Sequence, residues 1–198
     1  GMPNTRPLTV TAAALGDRVR GASNRMYCDF AFYMGGTREN VADLAAFEKL
    51  PGCAGIKVFM GSSTGELLVE DDEGVASILA QTSRRAAFHS EDEFRLRQRT
   101  GEQIAGNPAS HPIWRDAEAA RLCTERLIRI ARRTGKRIHV LHVSTAEEMP
   151  LLAANKDVAT VEVTPHHLTL SSDDYAKLGT LMQMNPPVRA TEHQRAIW

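Results

Sequence analysis

A chain of 198 residues with 24 basic and 24 acidic side chains has no formal net charge, which excludes an electrostatic nucleic-acid binder and a polybasic membrane surface. At 42% hydrophobic residues it can bury the core of one domain, yet no apolar run approaches the length of a membrane span and no signal peptide is visible. The three cysteines (Cys28, Cys53, Cys123) lack metal-site spacing and fit a reducing cytoplasm as small apolar residues.

In chain order, residues 1–5 carry no helix or strand signal, and Gly1 ahead of Met2 reads as a cloning scar. Helical spacing over residues 9–20 runs into Gly21, a stop signal. Residues 26–34, aromatic and apolar, predict a strand ending at Gly35-Gly36. Residues 38–50 predict a helix. The stretch Gly55-Ile56-Lys57-Val58-Phe59-Met60 predicts a buried strand that breaks into the loop Gly61-Ser62-Ser63-Thr64-Gly65. Helices follow over 71–84, 114–133, 146–154 and 171–178, and strands over 85–89, 136–143 and 158–164. The acidic run Glu70-Asp71-Asp72-Glu73 suits a helix N-terminus. Residues 95–111 read as a long loop on the active-site side, with His111 and Trp114 in structural roles. The chain closes on Ala196-Ile197-Trp198 inside a helical pattern, so it reads as a fragment.

Strand and helix alternate throughout, which means a parallel sheet with crossover helices: an α/β protein, either a doubly wound sheet or a (β/α)₈ barrel. No G-x-G-x-x-G follows a strand and no P-loop is present. In either architecture the chemistry sits at the carboxyl ends of the strands. Alternation puts Gly55, Lys57 and Phe59 on one face of their strand and Ile56, Val58 and Met60 on the other. A lysine there is costly unless its ammonium reaches solvent, pairs with a buried carboxylate or is used chemically. The next three strands carry histidine at or near their carboxyl ends: His89, then His139 and His142, then His166 and His167. Alternation puts His142 toward a barrel mouth and His139 toward the helices. Each histidine alone reads as a hydrogen-bonded structural residue. Imidazoles converging from neighbouring strands are also what a zinc site needs, and a lysine joins such a site once carbon dioxide has carbamylated its uncharged amine.

These motifs resemble the cyclic amidohydrolases, dihydroorotases above all. The resemblance is carried by Met2-Pro3-Asn4-Thr5-Arg6-Pro7, the Lys57 strand with its loop, His89-Ser90-Glu91, His142-Val143-Ser144-Thr145, Thr164-Pro165-His166-His167-Leu168 and Asn185-Pro186-Pro187-Val188-Arg189. It implies a metal-dependent barrel, here the central part and cut at both ends over residues 1–198. The reaction implied interconverts dihydroorotate and carbamoyl aspartate in pyrimidine synthesis. It implies two zinc ions bridged by carboxylated Lys57, with His89 and His142 holding the second. Asn4 and Asn185 are implied at the substrate, and Glu162 and His167 as auxiliary residues. The family's His-x-His pair, its substrate-binding arginine and its catalytic aspartate have no counterpart in these residues, so no catalytic base is assigned and the chain is expected to be inactive. Sister activities (dihydropyrimidinase, hydantoinase, allantoinase) and a catalytically dead scaffold stand as alternatives. The partners implied are the small-molecule substrate, a second copy in a homodimer and an aspartate carbamoyltransferase.

Overall fold

A computed structural model of the chain describes residues 1–62 and 67–198. Ser63, Thr64 and Gly65 of the loop after the lysine strand therefore lie outside the described residues. Five strands form one sheet: β1 (Phe32–Gly35), β2 (Cys53–Phe59), β3 (Ala86–His89), β4 (Ile138–Val140) and β5 (Ala159–Val161). All four pairings are parallel and the spatial order β1-β2-β3-β4-β5 is the chain order. A doubly wound sheet reverses its order at a switch point, whereas a barrel adds each strand beside the last. The sheet is thus five consecutive strands of a (β/α)₈ barrel, and of the two architectures the alternation allowed, the barrel is the one formed.

The two faces of this sheet have different chemistry. Met34, Ile56, Val58, Ala86, Phe88, Ile138 and Val140 form one face and belong to a single core. Onto it pack helices α3 (Asp72–Gln81), α6 (Ala117–Thr134) and α7 (Glu148–Ala153), through Val75, Ile78, Leu79, Leu127, Ile130 and Leu152. Each fully buried Leu, Ile or Phe there contributes about 1.5–3 kcal/mol. The opposite face carries one row in register, Gly35, Lys57, Ala87, His139 and Thr160, with Phe59 paired to His89 above it. Alternation along β2 therefore falls as read from the sequence, with Lys57 on the barrel-interior face.

Several boundaries differ from the sequence reading. Helix α1 (Ala12–Ala22) passes through Gly21. It stops at Ser23, whose N–H and hydroxyl both donate to Val19 O at 3.0 and 2.8 Å. The strand predicted from residue 26 begins only at Phe32, because Arg25 and Met26 turn back to Ala22 O and Tyr27 is fully exposed. Residues 38–50 give a 3-10 turn and the short α2 (Leu44–Phe47). Asn40 is spent on tertiary bonds there, donating to Val10 O and Gly35 O at 2.9 and 2.8 Å. The stretch read as a loop holds α4 (Glu93–Gln98), capped by Asp92, which accepts from Arg95 N at 2.9 Å. The long helix read from Trp114 is two: α5 (His111–Trp114) ends at Arg115 and α6 starts anew from Asp116, which accepts from Ala119 N at 3.0 Å. Strands β4 and β5 are shorter than read. Three small helices complete the chain: α8 (Pro165–Thr169), α9 (Tyr175–Leu178) and α10 (Thr191–Ile197). Among the described residues no helix is long and apolar enough to cross a membrane.

Candidate functional site

Lys57 lies in the middle of β2 and is 2% exposed. Among the described residues its Nζ has no hydrogen-bond partner, and it sits 4.2 Å from the centroid of the Phe59 ring. Both ordinary fates of a strand lysine are therefore absent, escape to solvent and a carboxylate bond. Burial lowers its proton affinity well below the ordinary lysine value, and the charge of Glu162, which raises it, does not offset this. The amine is held in surroundings that favour its uncharged, nucleophilic form.

His89, the last residue of β3, lies on the same face because it pairs with Phe59. Its Nδ1 is 3.2 Å from His142 Nε2, and the two rings meet edge to face with centroids 4.9 Å apart. His142 Nδ1 is shut from solvent and has no partner. On its far side His89 Nε2 is 2.8 Å from Glu91 Oε2, off the line of a well-directed hydrogen bond. Burial lowers the proton affinity of both rings. Glu91 opposes this at His89, while His89 and Lys57 push His142 further down. Burial thus favours the neutral form of both imidazoles, and their nitrogens face each other within hydrogen-bond distance. Burial also works against the charge of Glu91, but Arg115 and His89 overcome it and hold the carboxyl far below the usual carboxylate range.

The route by which His142 arrives differs from the alternation argument. Ile138 and Val140 face the helices, and the ladder of β4 ends at Val140. His142 has φ +41°, a left-handed conformation that is uncommon for a residue with a Cβ, and this turn swings its ring to the interior face. His139 is corrected the opposite way. It faces the interior, with Nδ1 2.9 Å from Thr160 Oγ1 and Nε2 3.4 Å from Glu162 Oε2.

Asn4 is exposed in the turn that Pro3 O closes by accepting from Thr5 N and Thr9 N, and Gly35 N donating to Thr9 O sets this turn at the carboxyl end of β1. Asn185 is half-buried and its Oδ1 accepts from His111 Nε2 at 3.0 Å. His167 is buried on α8, where Nε2 donates to Pro186 O at 3.1 Å and Thr164 Oγ1 lies 2.9 Å from Nδ1. Its bonds clamp the Asn185 segment, as does His111, which also donates to Met184 O at 3.0 Å. Glu162 is an exposed residue just past β5, beside His139. His166 is exposed. The acidic run is a helix start as expected: Asp71 caps α3 by accepting from Gly74 N at 2.9 Å, and Asp72 pairs with Arg126 at 3.1 Å.

Sequence reasoning gave no role to Arg115, Arg189 or Glu148, all buried. Arg115 forks onto Glu91, and Glu148 accepts from Thr124 and Thr145 at 2.7 and 2.9 Å. A charged residue in a sequence has no visible partner when that partner is 24 positions away, as Glu91 is from Arg115.

Among the described residues no three His, Cys, Asp or Glu side chains form a metal-holding group. The donors present are nonetheless of the kind zinc takes. Two neutral imidazoles face each other away from water, and an unpartnered Lys57 Nζ sits on the same face, close enough to lower the proton affinity of both rings. A carboxylated Lys57 would supply the anionic oxygen ligand that the histidine pair lacks.

No family model matches the chain. Over 99% of its length it is 32% identical to a dihydroorotase of Halobacterium salinarum, of which it covers 46%. It is 31% identical to an allantoinase of Streptomyces avermitilis, with 98% of this chain and 45% of that protein aligned. Its fold superposes on the solved L-hydantoinase of Arthrobacter aurescens with a TM-score of 0.90 at 25% identity, over 100% of this chain and 46% of that one. The chain spans about half the length of the curated relatives it matches. The barrel order of the strands, with alignments at about 30% identity that run over nearly the whole chain, makes this chain a relative of the dihydroorotases, allantoinases and hydantoinases, the cyclic amidohydrolases.

Proposed function

We propose that this chain carries the lysine and histidine ligands of a zinc-dependent cyclic amide hydrolase of the dihydroorotase type, acting between dihydroorotate and carbamoyl aspartate. The observation that carries the reading is the buried, unpartnered Lys57 Nζ on the face where His89 and His142 meet. Two zinc ions, when bound, would activate the attacking water and polarise the ring carbonyl. Lys57, uncharged in its apolar setting, is suited to add carbon dioxide, forming an N–C bond and releasing a proton. His89 and His142 present Nδ1 and Nε2 as neutral donors, and Glu91 faces the rear nitrogen of His89, as a carboxylate behind a metal-binding histidine does. Asn185, held by His111, and Asn4 are assigned to the substrate. Glu162 and His167 act at one remove, through His139 and through the Asn185 segment.

The near-equal identities to a dihydroorotase and an allantoinase favour a second reading, a sister cyclic amidase with the same centre. A substrate carboxylate separates the two, since it calls for a fixed arginine to receive it.

The test uses the purified 198-residue chain with zinc and ¹³C-labelled bicarbonate. A carbamate carbon signal and zinc uptake, both lost in Lys57→Met, are expected, with no measurable turnover of dihydroorotate because no general base is assigned here. Absence of both signals in the unaltered chain overturns the ligand assignment. Turnover overturns the inactivity.

A further inference from the structure

We propose that Arg115 and Arg189 form a brace that sets the relative positions of the strand ends bearing Lys57, His89 and His142. What those side chains hold rests on the function proposed above; the brace itself is read from hydrogen bonds.

The sheet ladder stops short of this site. Between β2, β3 and β4 the last cross-strand bonds run from Met60 N to His89 O and from Leu141 N to Phe88 O, both 3.1 Å, while Val143 N donates to Glu162 O at 2.9 Å and ties the end of β4 to that of β5 alone. Past them, among the described residues, no ladder bonds tie the ends of β2, β3 and β4 to one another, yet each carries a group bound to the arginine pair. Arg115 Nη2 donates to Ser62 O at 2.7 Å, just past β2. Its Nε donates to Glu91 Oε1 at 3.2 Å and its Nη2 to Glu91 Oε2, two residues beyond His89. The backbone carbonyl of Arg115 accepts from Arg189 Nη1 at 2.8 Å, and Arg189 Nε donates to Ser144 Oγ at 3.0 Å, two residues beyond His142. One side chain and one carbonyl of the same residue thus join the ends of β2, β3 and β4.

Arg115, Glu91 and Arg189 are 3%, 0% and 5% exposed. Burying two guanidiniums is costly, and apolar residues of the same volume would serve packing alone at least as well. Arg189 even leaves Nη2 without a partner. The planar fork gives direction as well as charge, which lysine, a point charge on a flexible stem, does not. It also explains why the helical pattern breaks at Arg115, whose backbone and side chain both serve the brace.

The test compares Arg115→Lys and Arg189→Lys, which keep charge and lose the fork, with Glu48→Gln. Glu48 is a buried carboxylate away from the site that accepts from the backbone N–H groups of Ser83 and Arg84 at 2.8 and 3.1 Å. Zinc titration and the ¹⁵N ring signals of His89 and His142 in the metal-free chain are read beside urea unfolding. In both arginine variants, zinc affinity should fall about 10–100-fold and the ring signals should shift. Glu48→Gln should lower the urea midpoint and leave both readouts unchanged. Arginine variants with unaltered zinc affinity and ring signals overturn the brace, as does Glu48→Gln if it reproduces their effects. If the unaltered chain takes up no zinc, the proposed function fails and the ring signals alone decide the brace. If Arg115→Lys does not fold, Arg189→Lys decides it.

Discussion

At the scale of the single residue, Lys57 is the buried charged group with the most exacting setting for a proton. A buried amine that lies over the face of Phe59 and has no hydrogen-bond partner among the described residues binds fewer protons folded than unfolded, because burial lowers its folded proton affinity. Between that depressed value and the ordinary lysine value, the unfolded chain holds more protons, so stability rises with pH through this window. Below the window the cost is fully present. Lys57→Met, close in volume and apolar, should therefore stabilise the metal-free chain by about 1–3 kcal/mol at neutral pH. It should also flatten the alkaline rise, and urea unfolding across pH checks both effects. A less stable variant would mean that Nζ has a partner. The face of Lys57 is legible from strand alternation, since it sits within a ladder of period two, whereas His89 is legible only as a histidine at the carboxyl end of its strand. Alternation carries His142 on the face of Ile138 and Val140, whereas the structure brings its ring beside His89 through a turn, because its φ of +41° breaks that period and no alternation rule foresees such a turn.

Helix α6 shows how far one element is written in its own residues. Asp116 caps its start and also pairs with Arg99 at 3.2 Å, while Gly135 ends it at φ +64° in the left-handed conformation. No atom lies within 4 Å of where a Cβ on Gly135 would stand, so Gly135→Ala isolates the backbone cost. It should destabilise by about 1–2 kcal/mol. Gly101, equally open and without a positive φ, should tolerate Ala within about 0.5 kcal/mol. Thermal unfolding of the pair checks this; equal effects would place the cost elsewhere than in the backbone. The stop at Gly135 is visible in the sequence, whereas the stop that the sequence predicts at Gly21 is passed by α1. Glycine permits the left-handed turn without compelling it, and α1 is ended instead by the bonds of Ser23.

At the scale of the whole molecule, the two outer strands of the sheet differ. The edge of β1 is lined by the chain start, where Tyr33 N donates to Gly1 O at 2.8 Å and the Gly1 amino group donates to Ala31 O at 2.7 Å. Among the described residues only β4 pairs with β5, whose Val161 is exposed beside an apolar cavity of about 480 Å³ lined by Met149, Leu152 and Ala153. A bare edge next to apolar surface promotes strand-to-strand association. The chain should scatter light increasingly with concentration, and Val161→Lys should suppress this without changing the far-ultraviolet dichroism; unchanged scattering would clear the β5 edge.

The sequence by itself determined the alternation of strand and helix, the face that Lys57 shares with Phe59 and the strand-end places of the histidines. These follow from periods of two and 3.6 residues and from local stops, all properties of neighbouring residues. Only the tertiary structure decided that the sheet is wound one way as a barrel, that His139 faces inward, and that Arg115, Arg189 and Glu91 lock together across the strand ends. Those depend on which distant segments meet, and a chain lists its charged residues without stating which of them will be desolvated side by side.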